Sequence, residues 1–404
     1  MKHFGIIATA MAIVCLSCEK IGVDAPVDNP YKALDLTTKS ADFADKGNTF
    51  AFEFLDRINS AEKGDFFVSP LSMQFLLGMI LDGAQGQTAD EICKVLGYGA
   101  GETSAVNEYC LSMLEQLPSL DRKTKLSIAN ALFVNKKYPL LDDYKKTVGK
   151  YYQAEVSNLD FGNTATLRTI NNWCSKKTDG LIPKVLDNVS STMLAYILNA
   201  MYFKSEWTEK FKKSDTSDEP FFNGSERVTV KMMKQRNNYL CHETDVYSVV
   251  RMPYGNGAYS MYAFLPYDGY TITDVIAALK DNEWDKMRGE MVSCNVDLWL
   301  PRFETRYHVV LNDILSAMGM PSSFNNNADF QKMSNNAFRL SFIKQDAVIK
   351  VDEEGSEAAV VSMAGMDTAF LPGQHVVFHA DHPFLYLIAE SSTGTILFAG
   401  KYSG

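Results

Sequence analysis

Any fold for this chain must accommodate a stretch near the C-terminus that joins two buried strands without being apolar itself. It runs from Val351 to Phe370 and reads VDEEGSEAAVVSMAGMDTAF. Val348, Ile349 and Val351 read as the end of a buried strand, and strand character returns only at Val376, Val377 and Phe378. Between them come three acids, then Gly355, which frees the backbone to bend, then Ser356 to Ser362, mostly small or β-branched. Ala358 and Ala359 leave room for another backbone to approach closely. A connection of roughly two dozen residues with no order of its own is either functional or disordered in a compact domain. Composition alone leaves both readings open.

The N-terminus reads as an export signal. Lys2 supplies positive charge, and Phe4 to Cys15 form an apolar core too short to span a membrane. It ends in Leu16-Ser17-Cys18, which resembles a bacterial lipobox with Cys18 as the lipidated residue, although Cys15 stands where that pattern expects leucine. The expected layout is a signal peptide over 1–17, a lipidated cysteine and polar tether over 18–40 with Pro26 and Pro30, and one folded domain over 41–404. An exported chain held by lipid at Cys18 is expected at the bacterial outer membrane or cell surface.

The rest of the chain has the composition of a folded globular protein, 46% hydrophobic and 22% charged. A net charge of -10, without a basic patch, argues against nucleic acid as a partner. Cys93, Cys110, Cys174, Cys241 and Cys294 are widely spaced and show neither a zinc pattern nor a disulfide framework. Cys93 and Cys174 sit in apolar-periodic segments and are expected to be buried thiols.

Periodicity predicts helices over Asp42–Ser60, from Pro70 to Gly83 with Ser69 as N-cap, from Thr88, over Leu141–Gln153, Thr166–Thr178 and Val309–Met318. Strands are predicted at Phe66–Val68, Leu126–Val134, Val228–Met233, Val246–Met252, Ser260–Leu265 and Cys294–Leu300. The apolar run Leu194–Phe203 predicts a strand buried on both faces. Phe384–Ile388 and Thr395–Ala399 predict a closing hairpin. Helices concentrate in the first half and strands in the second, which indicates α+β organisation.

Enzymatic signatures are missing. There is no nucleophile elbow, no second histidine to complete a zincin site after His242-Glu243, and no phosphate-binding glycine loop. His379-Ala380-Asp381-His382 reads as a polar turn before Pro383 rather than a metal cluster.

Several motifs in order resemble the serpin family from about Asp42 to Tyr402. They are FFVSPLSMQFLLGMILDGAQGQTADEI (66–92), LSIANALFV (126–134), INNWCSKKTDGLIPKVL (170–186), LNAMYFKSEW (198–207), SMYAFLP (260–266), LPRF (300–303), VDEEGSEAA (351–359) and ADHPFLYLI (380–388). The resemblance implies about nine helices around three β-sheets with an exposed reactive-centre loop. It also implies a protease inhibitor, not an enzyme, without cofactor or metal, and monomeric. In such proteins a protease cleaves the loop, and the loop then enters the large sheet as a new strand while the protease is still esterified to it. Strand addition and release of stored strain are known physical modes of this kind.

Insertion constrains the loop, because alternate residues must face the core. With Ser356 inward, the inward set is Ser356, Ala358, Val360, Ser362, Ala364 and Met366, all uncharged, while Glu357 faces solvent. Burying an unpaired charge would be prohibitive. The hinge Glu354, Gly355, Ser356, Glu357, Ala358 and Ala359 therefore suits an inhibitor. The family's spacing of fourteen residues from Gly355 places the reactive bond at Ala369–Phe370, with Met366 and Thr368 as alternative cut positions. A small apolar Ala369 implies an elastase-like serine protease, and shifted cuts admit a cysteine protease. By the same resemblance Ser69, Ser72, Asn199 and Gln345 form the shutter, with glutamine where the family usually has histidine, and Trp207 marks the breach where insertion starts. The alternative is a non-inhibitory, serpin-fold binding or chaperone-like protein.

Overall fold

The structure, a computed structural model, describes residues 29–280, 282–356 and 375–404. The signal peptide, Cys18, hinge residues Glu357, Ala358 and Ala359, and the cut positions Met366, Thr368, Ala369 and Phe370 lie outside the described residues.

The first half is mainly helical: α1 (Thr38–Ala61), α2 (Pro70–Gly83), α3 (Gly86–Leu96), α4 (Thr103–Gln116), α5 (Asp142–Tyr151) and α6 (Ala165–Lys177). Strands β1 (Phe66–Val68), β2 (Lys125–Asn135), β3 (Glu155–Leu159) and β4 (Ala195–Glu206) are threaded among them. The second half is mainly strand: β5 (Ser217–Phe222), β6 (Arg227–Glu243), β7 (Tyr247–Tyr254), β8 (Tyr259–Pro266), β9 (Val292–Pro301) and β10 (Phe303–Val310). Then follow β11 (Lys344–Val351), β12 (Gly355–Ser356), β13 (His375–His379), β14 (Phe384–Glu390) and β15 (Ile396–Tyr402), with α7 (Ile272–Ala278), α8 (Glu283–Glu290) and α9 (Asn312–Met318) between them. The α+β class holds.

Among the described residues the strands form three hydrogen-bonded sheets. Nine strands make the largest, in the order β1-β15-β14-β8-β7-β6-β9-β13 with β5 on β6. The second is β10-β11 and the third β12-β4-β2-β3. Every residue of β8, β14 and β15 is buried, which their continuous apolar sequence requires. Helix α2 packs against β4 of the third sheet and β15 of the largest and is apolar on nearly all sides, as a fully buried helix must be. Its start is fixed by Ser69, whose hydroxyl accepts from Ser72 N at 3.1 Å, and by Pro70 in the first turn.

Several expectations need correction. The tether does not reach residue 40: residues 29–36 lie against the body and α1 begins at Thr38. Helix α3 begins at Gly86, not Thr88, and has no side-chain cap. Val309 and Val310 end strand β10, because Val309 pairs with Gln345 and Val310 with Lys344, and the helix starts only at Asn312. Strand β4 is not buried on both faces. Seven of its twelve residues are only half-buried, because α6 covers one side while the edge facing β11 has no strand beside it among the described residues. The five described cysteines are all buried and unbridged.

Candidate functional site

The edge of β4 that no described strand covers along most of its length is the distinctive feature of the fold. Strands β4 and β11 would be neighbours in one continuous sheet, yet among the described residues β11 pairs with β10 alone, and β4 pairs with β2 along its length. A slot runs between them. At its lower end lies a cavity of about 240 Å³ lined by Leu76, Tyr196, Leu198, Met333 and Phe342. Further up, about 70 Å³ is lined by Phe67, Met201, Phe203, Ile349 and Ser356.

The top of the slot is closed by the chain itself. After Val351 the backbone turns tightly: Asp352 N donates to Gly355 O at 3.0 Å and Gly355 N to Asp352 O at 3.2 Å. Gly355 and Ser356 then run back down as β12, antiparallel to β4, opposite Glu206 and Ser205. Only glycine permits this. Gly355 has φ +142, and a Cβ there would lie 2.3 Å from Ser205 O and 2.6 Å from Glu206 Cα. Ser356 is buried, with its hydroxyl 3.1 Å from the Tyr254 hydroxyl. The sequence indicated the bend at Gly355. It did not indicate that the hinge residues Gly355 and Ser356 are already paired with the sheet.

Trp207 packs directly on this turn. Its ring stacks on Tyr254 at 4.4 Å, its indole N–H donates to Asp352 O at 2.9 Å and its amide to Glu354 O at 3.0 Å. The acids preceding Gly355 anchor the turn. The Glu353 side chain is 2% exposed; its carboxylate takes the Arg302 guanidinium and, at 2.7 Å, the Thr216 hydroxyl. Burial pushes its pKa up, but those two donors outweigh burial and hold it below the usual carboxylate range. Glu354 is lowered by Lys210 and Lys213, at 3.1 and 3.2 Å. Tyr254, Thr216 and Arg302 escaped the sequence reading. Arg302 lies within the LPRF motif, where an arginine between two apolar strand segments was the available signal.

Ser69, Ser72, Asn199 and Gln345 do come together, midway down the slot. The Gln345 amide pairs with the Ser69 backbone in both directions, accepting from Ser69 N and donating to Ser69 O, each at 2.9 Å. The Ser69 hydroxyl donates to Leu397 O at 2.7 Å, and the Ser72 hydroxyl donates to Asn199. The cluster extends beyond the residues expected. The Asn199 amide donates to Asn130 Oδ1, Asn130 to Tyr152 O and the Tyr152 hydroxyl to Asn107 Oδ1, each at 2.7 Å. Asn107 donates to Asp82 Oδ1 at 2.8 Å. Asn130 and Asn199 face each other across β2 and β4.

No group of His, Cys, Asp and Glu side chains able to hold a metal occurs among the described residues. His382 is held in its turn by Asp381 and by Pro266 O, each at 2.8 Å.

Comparison with known proteins agrees with this architecture. The Serpin (serine protease inhibitor) family profile matches residues 45–404. The leukocyte elastase inhibitor of Xenopus tropicalis is 34% identical over 377 residues, covering 88% of this chain and 97% of that protein. Human Serpin B4 is 31% identical over 379 residues with the same coverage. Human thyroxine-binding globulin in complex with thyroxine superposes with a TM-score of 0.81 at 27% identity, over 91% of this chain and 99% of that one.

Proposed function

The chain belongs to the serpin family of protease inhibitors, and from that premise we propose that it acts as a suicide substrate whose cleaved loop fills the slot between β4 and β11. The observation that carries the proposal is the hinge: Gly355 and Ser356 already occupy the top of a slot that no other described strand fills. Each further inserted residue adds ladder hydrogen bonds worth about 1 kcal/mol net apiece, so a strand of ordinary length would release energy on the order of 10 kcal/mol. That release must outpace hydrolysis of the acyl bond. Small inward residues favour speed, and Ser356, inward and uncharged, meets the requirement at the first step.

Within this reading the reactive bond is Ala369–Phe370 and the target is an elastase-like serine protease. A cut after Met366 or Thr368, or a cysteine protease, defines the nearest variants. Trp207 with Tyr254 forms the breach, Ser69, Ser72, Asn199 and Gln345 the shutter. Lipid attachment at Cys18 would hold the inhibitor at the cell exterior.

The test is to mix the purified domain with an elastase-like protease and resolve the products on a denaturing gel. A covalent complex is expected, with the bond identified by mass spectrometry of the released C-terminal peptide. Clean cleavage with no complex, and no gain in thermal stability after cleavage, would instead indicate the non-inhibitory alternative. Ser356→Arg should convert the inhibitor to a substrate, because the charge would have to enter the site beside Tyr254. Undiminished complex formation by that variant would refute the hinge argument.

A further inference from the structure

We propose that residues 29–35 form a strap that preorganises the docking site for the hinge, and that the buried carboxylate of Asp121 positions it; the proposal rests on the loop-insertion reading above. The strap forms no helix or strand, yet it is tied down at several separate points. Asn29 Nδ2 donates to Asp121 Oδ1 at 2.6 Å, and Asn29 Oδ1 accepts from Arg122 N at 3.0 Å. Pro30 O accepts from Asn256 Nδ2 at 3.0 Å. Leu34 is buried, and its amide donates to Ser392 Oγ at 3.1 Å. Asp35 N donates to Gln116 Oε1 at 2.8 Å, while Gln116 Nε2 donates to Asp35 O at 2.9 Å. A merely trailing segment would not make reciprocal contacts with three different loops and a helix end.

The contacts of Asn29 and Pro30 converge on the two walls that receive Ser356. One wall is the backbone of Ser205, the residue paired with Ser356. Its hydroxyl lies 2.6 Å from Thr124 Oγ1, which donates to Asp121 Oδ2 at 2.6 Å. Thr124 has one hydroxyl proton and gives it to Asp121, so Ser205 must donate to Thr124. The other wall is Tyr254, whose hydroxyl meets that of Ser356. Tyr254 leads directly into the turn Gly255–Asn256, whose amide at Asn256 donates to Asp121 Oδ2 at 3.3 Å. Asp121 therefore serves both walls. It is 1% exposed and accepts four hydrogen bonds, from Asn29, Lys123 N, Thr124 and Asn256 N. The sequence makes room for it: Gly255 sits at φ +47, and a Cβ there would lie 1.9 Å from Asp121 Oδ2.

The consequence is kinetic. An inhibitor partitions between insertion and hydrolysis, and insertion begins where Ser356 meets Ser205 and Tyr254. The strap holds those groups in place before cleavage, so little reorganisation remains at the critical moment. It acts on the receiving site and not on the bait, so it should alter the outcome of attack without altering the rate of attack.

Two variants test this: deletion of residues 1–31, which removes Asn29 and Pro30 while leaving Leu34 and α1, and Asn29→Ala. In both, hydrogen exchange of the peptide spanning residues 352–356 should rise about five-fold, the factor for one net hydrogen bond. The ratio of inhibitor consumed to protease inhibited should rise by a similar factor, with the rate constant for loop attack unchanged. Unchanged exchange at 352–356 in both variants would overturn the strap. Should the parent protein form no covalent complex, the inhibitory reading fails, but the exchange measurement still decides whether the strap orders the hinge. A general loss of stability, visible as faster exchange in β14 and β15, would also count against a role confined to the hinge site.

Discussion

The two largest sheet regions obey opposite rules. In β8, β14 and β15 every side chain is buried and every strand has a neighbour on both sides. Around the slot, β4 and β11 each lack one neighbour among the described strands along most of their length, and buried residues are interspersed with half-buried ones. The first region is a finished core. The second has a strand edge that no described strand covers, and buried or half-buried backbone groups left without partners are costly. The contrast separates a fully buried core from a region in which no described strand fills the position between β4 and β11.

The largest expected effect lies in the finished core. Leu387, fully buried in β14, has no route to relax when truncated. Leu387→Ala should cost about 3 kcal/mol, measured by denaturant unfolding, and should cost the loop-cleaved form as much as the native form. If only the native form suffered, β14 would belong to the region that rearranges, and the division drawn above would be wrong.

Next comes the polar seam that runs from the slot into the helices beneath it. Asp82, at the end of α2, closes the hydrogen-bonded series that starts at Ser72 and passes through Asn199, Asn130, Tyr152 and Asn107. Burial pushes its pKa up to about 6, with the Asn107 amide and Lys332 only partly offsetting burial. Between pH 4 and 6 the folded protein therefore holds a proton that the unfolded chain has released. Stability should fall as pH rises through that window, by about 3 kcal/mol, and level off above it. Asp82→Asn should flatten that part of the profile. Persistence of the slope in the variant would assign it to another group.

The sequence showed the finished core far better than the slot. Strands such as Phe384–Ile388 could be read because burial on both sides leaves an uninterrupted apolar run, and the resemblance extended that legibility to element order. Leu194–Phe203 looked the same in sequence and was misjudged. Burial of β4 depends on what stands beside it, and the absence of a described strand along one of its edges is written in no residue of β4 itself. Ser69, Ser72, Asn199 and Gln345 could be listed from motifs, but Asn130 could not, because it joins them only through its register opposite Asn199. Residues 29–36 read as a tether because they are polar and contain proline. Their partners Asp121, Asn256 and Ser392 are distant in sequence, so nothing local announced them.

The smallest effect on stability should carry the sharpest information. Gly355→Ala introduces a methyl group that would sit 2.3 Å from Ser205 O, and both the clash and φ +142 oppose it. The backbone of β4 cannot yield easily, since Ser205 and Glu206 continue a strand paired along its length with β2. The hinge should therefore leave the sheet. That loses the two-residue pairing and the Tyr254–Ser356 contact, a cost of about 1 kcal/mol in the native state, while β14 and β15 are untouched. Fluorescence of Trp207, which stacks on Tyr254 and donates to Asp352 O, should change as the turn moves. If the signal and hydrogen exchange at 352–356 stay as in the parent, the hinge is not held by close approach to β4. If they change while denaturant unfolding shifts by several kcal/mol, the hinge is part of the finished core and not the movable edge of the slot.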